Sequence, residues 1–197
     1  MNILKSVSGT IVLGFVTAVI IMFIFGPAGL DKASLVVWLH VFAGVIWVGL
    51  LYYFNFVQVP AVAEATGDAS GPGAAAINQY VAPRALLWFR WAAVLTWLTG
   101  AAALEYVGVG LTNAFMMSGG QQTQIIGLGA WLGTIMLFNV WVLIWPNQKK
   151  ILGLVEASEE QKAQAKFVAL MASRTNTFLS IPMLMCMVGY GHGGLPF

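Results

Sequence analysis

Residues 33–60 read ASLVVWLHVFAGVIWVGLLYYFNFVQVP, an apolar run without a charged side chain and with one histidine, His40, embedded in it. A run of this length covers the roughly 20 residues that a helix needs to cross the hydrocarbon core of a bilayer. It therefore reads as a membrane-spanning helix, and His40 as an intramembrane imidazole. Such a ring is costly in hydrocarbon unless it is hydrogen-bonded or ligates something, which makes His40 the first candidate for function.

Composition extends this reading to the whole chain. Hydrophobic residues make up 59% of the 197 positions and charged residues 8%, which no soluble domain of this size needs. A net charge of +2 is too small to imply a nucleic-acid partner, so the basic residues serve topology instead. The single cysteine, Cys186, excludes an internal disulfide, a CxxC redox pair and a covalent c-type haem site. The eight tryptophans and twelve phenylalanines suit interfacial belts and packing around a flat cofactor.

The expected fold is all-α, a polytopic membrane helical bundle of about five spans forming one domain over residues 1–197. The spans are 8–27, 34–57, 85–107, 124–146 and 168–190. The first follows Lys5 and is too long, and too poor in a small-residue cleavage site, for a signal peptide, so an uncleaved helix is expected. Gly26, Pro27 and Gly29 end it, and Asp31 and Lys32 mark a polar turn.

Orientation follows from the cations. A cytoplasmic N-terminus puts Lys5, Arg84, Lys149, Lys150, Lys162 and Lys166 inside, with Arg90 and Arg174 at the inner ends of spans three and five. Only Lys32 falls outside, so the positive-inside rule selects this arrangement and a periplasmic C-terminus at Phe197. The expected location is a bacterial inner membrane, with the lipid bilayer as the chain's first partner. The connection from Ala61 to Pro83 holds the turn-rich ATGDASGPGAAA. In the connection from Asn147 to Lys166, Ser158-Glu159-Glu160-Gln161 has capping-box form and predicts a helix running into span five, bent at Pro182. The outer connection, Gly108 to Thr123, carries no charge.

Chemistry concentrates at two places. On span two, His40, Gly44, Trp47 and Leu51 share one helical stripe. A glycine one turn from a histidine lets a flat macrocycle approach, and an indole one turn further packs on it, as a haem b ligand helix requires. A histidine bonded to a neighbouring carbonyl, with Gly44 serving helix packing, reads equally well. His192, in GYGHGGLPF beyond span five, lies in the same outer half and is the second candidate metal ligand or a solvated terminal residue. Glu105 is placed to orient one of these rings or to face water, and Met183, Met185 and Met187 are soft-ligand or packing residues.

Toward the inner side, Arg90 and Arg174 have no carboxylate in their half of any span. They call for an anion, such as a substrate, a haem propionate or a lipid phosphate, or for snorkelling to the headgroups. Asn55, Asn139 and Asn176 lie in the same half, Asn139 and Asn176 as further anion-binding candidates, and Asn55 and Asn139 also suit interhelical hydrogen bonding. No phosphate-cradling Gly-rich motif, HExxH or GxSxG occurs, and no span carries the acids of a proton or cation relay, so a pump or cation channel is not expected.

Three strings, WLHVFAGVIWVGLLYYFNFVQVP from Trp38, NVWVLIWPNQKK from Asn139 and SRTNTFLSIPMLMCMV from Ser173, resemble the membrane part of the bacterial membrane-bound urate hydroxylases, the urate oxidase N-terminal domain family. The resemblance implies an oxidoreductase, cofactor roles for His40 and His192, and a planar anion such as urate on the Arg90/Arg174 side. Family members join their membrane part to a C-terminal cytochrome c domain. This chain stops at Phe197 without a CxxCH, so the expected electron acceptor is a separate cytochrome c or another membrane redox subunit. The reading is thus a haem b electron carrier exchanging electrons at the outer face, or an accessory subunit without cofactor in a larger membrane complex.

Overall fold

The computed structural model describes residues 3–26 and 29–195. Pro27, in the expected end of span one, and Phe197, the expected periplasmic terminus, lie outside the described residues. The chain divides into two compact units, residues 1–35 and 36–197.

In the first unit a 3-10 turn, Ile3–Lys5, leads into α1, Val7–Phe25. Ser6 caps α1 by accepting from the Gly9 amide at 3.0 Å, which satisfies one of the orphan donors at a helix start. No residue of α1 is buried. The hydroxyls of Thr10 and Thr17 turn back onto the carbonyls of Ser6 and Leu13, which hides them from an apolar medium. Asp31 then accepts from the Ala33 amide and the Ser34 hydroxyl at the entrance to the next helix. The Ser34 hydroxyl bond holds this exposed carboxyl below the usual carboxylate range.

Four long helices and one short one follow: α2, Lys32–Gly67; α3, Ile77–Tyr106; α4, Leu111–Phe115; α5, Gln121–Ile151; and α6, Glu159–Gly191. No strand occurs among the described residues. Three of the long helices contain a π-turn, at Phe54–Gln58, Ile77–Val81 and Asn139–Ile144. Each lies just before a proline: Pro60, Pro83 and Pro146. Proline lacks an amide and its ring clashes with the carbonyl four residues back. The widened turn absorbs that clash, and the residue before each proline (Val59, Ala82, Trp145) bonds five residues back, to Phe54, Ile77 and Val140. The helix thereby continues through the proline instead of breaking.

Among the described residues four helices are long and apolar enough to cross a membrane: α1, α2, α3 and α5. Five spans were expected. The fifth, 168–190, lies within α6, which is 33 residues long, starts at the predicted Ser158–Gln161 capping box and runs continuously through Pro182. Arg174, Asn176 and the hydroxyls around them dilute its apolar stretch, so α6 stands apart from the other four. The apolar runs also understate helix length, because α2 continues to Gly67 through the expected turn-rich connection and α3 begins at Ile77.

The larger core cluster of the second unit is contributed by α2 (Trp47, Leu51, Phe54), α3 (Phe89, Ala93), α5 (Met136, Val140) and α6 (Ala172, Met183), and a smaller one by Leu104, Ala114 and Ile126. Small residues permit the close approaches. A methyl at Gly127 would sit 2.2 Å from the Ala114 carbonyl oxygen, so only glycine lets α4 lie against α5.

Candidate functional site

His40 projects from α2 onto α3. Its Nδ1 lies 2.8 Å from the Thr96 carbonyl oxygen. A carbonyl only accepts, so Nδ1 carries the proton and Nε2 keeps the lone pair in the neutral ring. The ring rests on Gly100, one turn beyond Thr96, where a methyl would come within 2.8 Å of Cε1. Gly44 also faces α3: a methyl there would meet only the Thr96 Cγ2, at 3.7 Å. Pairs at i and i+4 on the two helices, His40/Gly44 and Thr96/Gly100, therefore face each other. The hydroxyl of Thr96 donates to the Ala92 carbonyl of its own helix, so the His40 bond falls on the backbone.

Trp47, on the same stripe of α2, is 2% exposed and its indole N–H has no hydrogen-bond partner among the described residues. A buried unpaired donor of this kind is uncommon.

His192 is found elsewhere. It ends α6, is exposed, and its Nδ1 bonds the Val188 carbonyl of its own helix at 2.9 Å. Together with Met185, Gly189 and Leu195 it lines a cavity of about 380 Å³. His40 and His192 thus have separate partners on separate helices. Met183 is a core residue and Met187 packs beside it. Glu105 accepts from the Leu111 amide at 2.7 Å and anchors the start of α4. Among the described residues no group of three or more His, Cys, Asp or Glu side chains gathers as a metal cluster.

Haem b asks for an axial nitrogen with a fixed tautomer, and His40 supplies it: a ligating histidine ordinarily donates its other ring N–H to a carbonyl or carboxylate. The residues beside it fit the macrocycle less well, since Gly44 and Gly100 are both occupied by α2–α3 packing.

The expected anion residues do not share a partner. Asn139 donates to the Asn176 Oδ1 at 2.8 Å, and Asn176 donates to the Met136 carbonyl at 2.9 Å, both buried. Asn55 donates to the Leu51 carbonyl and to Ser173 Oγ, and the Tyr52 and Ser180 hydroxyls pair at 2.9 Å. These bonds tie α6 to α2 and α5 through its polar residues. Arg174 is exposed. Arg90 lies over Trp145, with Cζ 3.8 Å from the ring centroid. In α3, Ile77–Tyr106, Arg90 stands near mid-helix and not at an end, and the sequence reading missed Trp145 as its partner. The signal was an indole next to Pro146 at the same depth.

A bundle of long apolar helices joined by intramembrane hydrogen bonds defines the class: a helical membrane protein. Residues 109–195 match the family described as Urate oxidase N-terminal, so this C-terminal stretch is similar to that family. The matched stretch contains Asn139, Arg174, Asn176 and His192 and leaves out His40, Gly44, Trp47 and Arg90. Neither a curated protein nor a solved structure matches the chain.

Proposed function

We propose that this protein is a multi-pass oxidoreductase of the urate-hydroxylase type in a bacterial inner membrane. In this reading His40 binds haem b and electrons leave at the outer face to a cytochrome c or another membrane redox subunit. The observation that carries the cofactor part is the His40–Thr96 bond, which holds the proton on Nδ1 at the Thr96 carbonyl and leaves the Nε2 lone pair unused by that bond. The family match carries the substrate class, a small planar anion such as urate. Bound haem supplies one-electron exchange. The chain's own part is to hold the imidazole in one tautomer against Gly100 and to keep water away from that face.

The same bond favours a second reading. A histidine satisfied by a carbonyl needs no metal, and the protein is then a cofactor-free accessory subunit whose helices pack against other membrane proteins. Absorption spectra of the purified protein separate the two. The haem reading expects a Soret band with sharp reduced α and β bands, lost in His40→Ala; a colourless, folded wild type leaves the accessory subunit. Urate-dependent reduction of added cytochrome c tests the activity, and no urate consumption with a competent acceptor present removes the urate part.

A further inference from the structure

Arg90 of α3 and Lys149 of α5 converge on one indole. Arg90 Cζ is 3.8 Å, and Lys149 Nζ 6.0 Å, from the centroid of the Trp145 ring. Trp145 and Lys149 are one turn apart, so the geometry is built into α5. Both cations are half-buried. Neither has a carboxylate, since the one ion pair among the described residues joins Lys162 to Glu159.

We infer that Arg90 and Lys149, gathered on Trp145, form a binding site for the phosphate of an anionic phospholipid headgroup. The ring face attracts each cation but neutralises neither. Two like charges held around one ring repel, more strongly at this partly desolvated depth than in water. An oxyanion between them removes the repulsion and accepts charge-assisted hydrogen bonds from both. The location selects the lipid among oxyanion sources. Here α5 passes from the apolar NVWVLIW to the polar PNQKK, and a tryptophan at such a transition sits at headgroup level. Basic pockets between membrane helices at that level recognise lipid headgroups. The cluster does not depend on the haem reading, because it lies on other residues.

The test uses the full chain, purified in detergent and exchanged against vesicles of phosphatidylglycerol or phosphatidylcholine, with retained lipid counted by native mass spectrometry. The expected result is preferential retention of phosphatidylglycerol, weakened about tenfold or more in the Arg90→Gln/Lys149→Gln double variant, as loss of charge-assisted hydrogen bonds implies. Arg90→Lys, which keeps the charge and guards against misfolding as the explanation, should retain most of the lipid. Lys162→Gln, away from the cluster, should retain all of it. Unchanged phosphatidylglycerol retention in the folded double variant overturns the proposal. So does displacement of the lipid by millimolar inorganic phosphate or urate, which would assign the cluster to a free anion.

Discussion

Gly100 decides whether His40 keeps its place. A methyl at that position would approach Cε1 to 2.8 Å and Nδ1 to 3.0 Å, so the ring must swing away and the Thr96 bond is lost. Overpacking of this kind costs about 1–3 kcal/mol. Gly133, where an added methyl meets nothing within 4 Å, is the matched control. There alanine should gain roughly 0.5–1 kcal/mol of helix propensity. Unfolding of the two purified variants should therefore diverge in sign, and equal stability would show that the ring is not pinned by α3. His40 itself was legible because a lone imidazole in an apolar run has no bland surroundings. Thr96 and Gly100 were not, because threonine and glycine are common in membrane helices and neither stands out by polarity. Their i, i+4 spacing, matching His40 and Gly44, becomes a signal only once the two helices are known to face each other.

At the scale of the helix, apolar runs report the thickness of hydrocarbon and not the ends of the helix. That is why α2, α3 and α5 overran their expected spans, continuing through three prolines by way of π-turns. The start of α6 was legible for a different reason, as capping is a local code read within four residues. Ser158 Oγ accepts from the Gln161 amide while the Gln161 side chain accepts from the Ser158 amide. Ser158→Ala should cost about 1 kcal/mol and fray this first turn, seen as faster amide exchange at residues 159–162. The same turn has a pH dependence of known sign. The Lys162 ammonium, 2.8 Å from Glu159, holds that carboxyl below its ordinary value of 4.5 by hydrogen bonding and by charge. A lowered carboxylate pKa contributes stability that is present above the ordinary value and is lost as pH falls through the lowered one. Amide protection of the turn should thus fall below about pH 4.5 in the wild type. Lys162→Gln should show no such acid loss beyond that of an ordinary exposed carboxylate.

For the whole molecule the open question is the role of α6. Its own composition sets it apart from the four strongly apolar helices, yet several of its polar side chains bond to neighbouring helices. Asn176 is committed to Asn139 and Met136, Ser173 to Asn55, and Ser180 to Tyr52. Interhelical bonds of this type contribute about 0.6 kcal/mol each on average, up to about 1.7. Their partners lie on α2 and α5, so α6 should enter the bilayer as a fifth span only when those helices are already in place. The cations agree with that count. Lys149 and Lys150 end α5 and Lys162 and Lys166 begin α6, so with all four cytoplasmic a span in α6 would cross outward. Reporter fusions after Lys150 and after Phe197 should accordingly report opposite sides of the membrane. A fragment of residues 152–197 alone should place its C-terminal reporter on the cytoplasmic side, because α6 by itself leaves Ser173, Asn176 and Ser180 without their partners on α2 and α5. Same-side reporters in the full chain would make α6 a surface helix and reverse the assignment of the C-terminus. Autonomous insertion of the isolated segment would show instead that its apolar half, from Phe178 onward, suffices without the bundle.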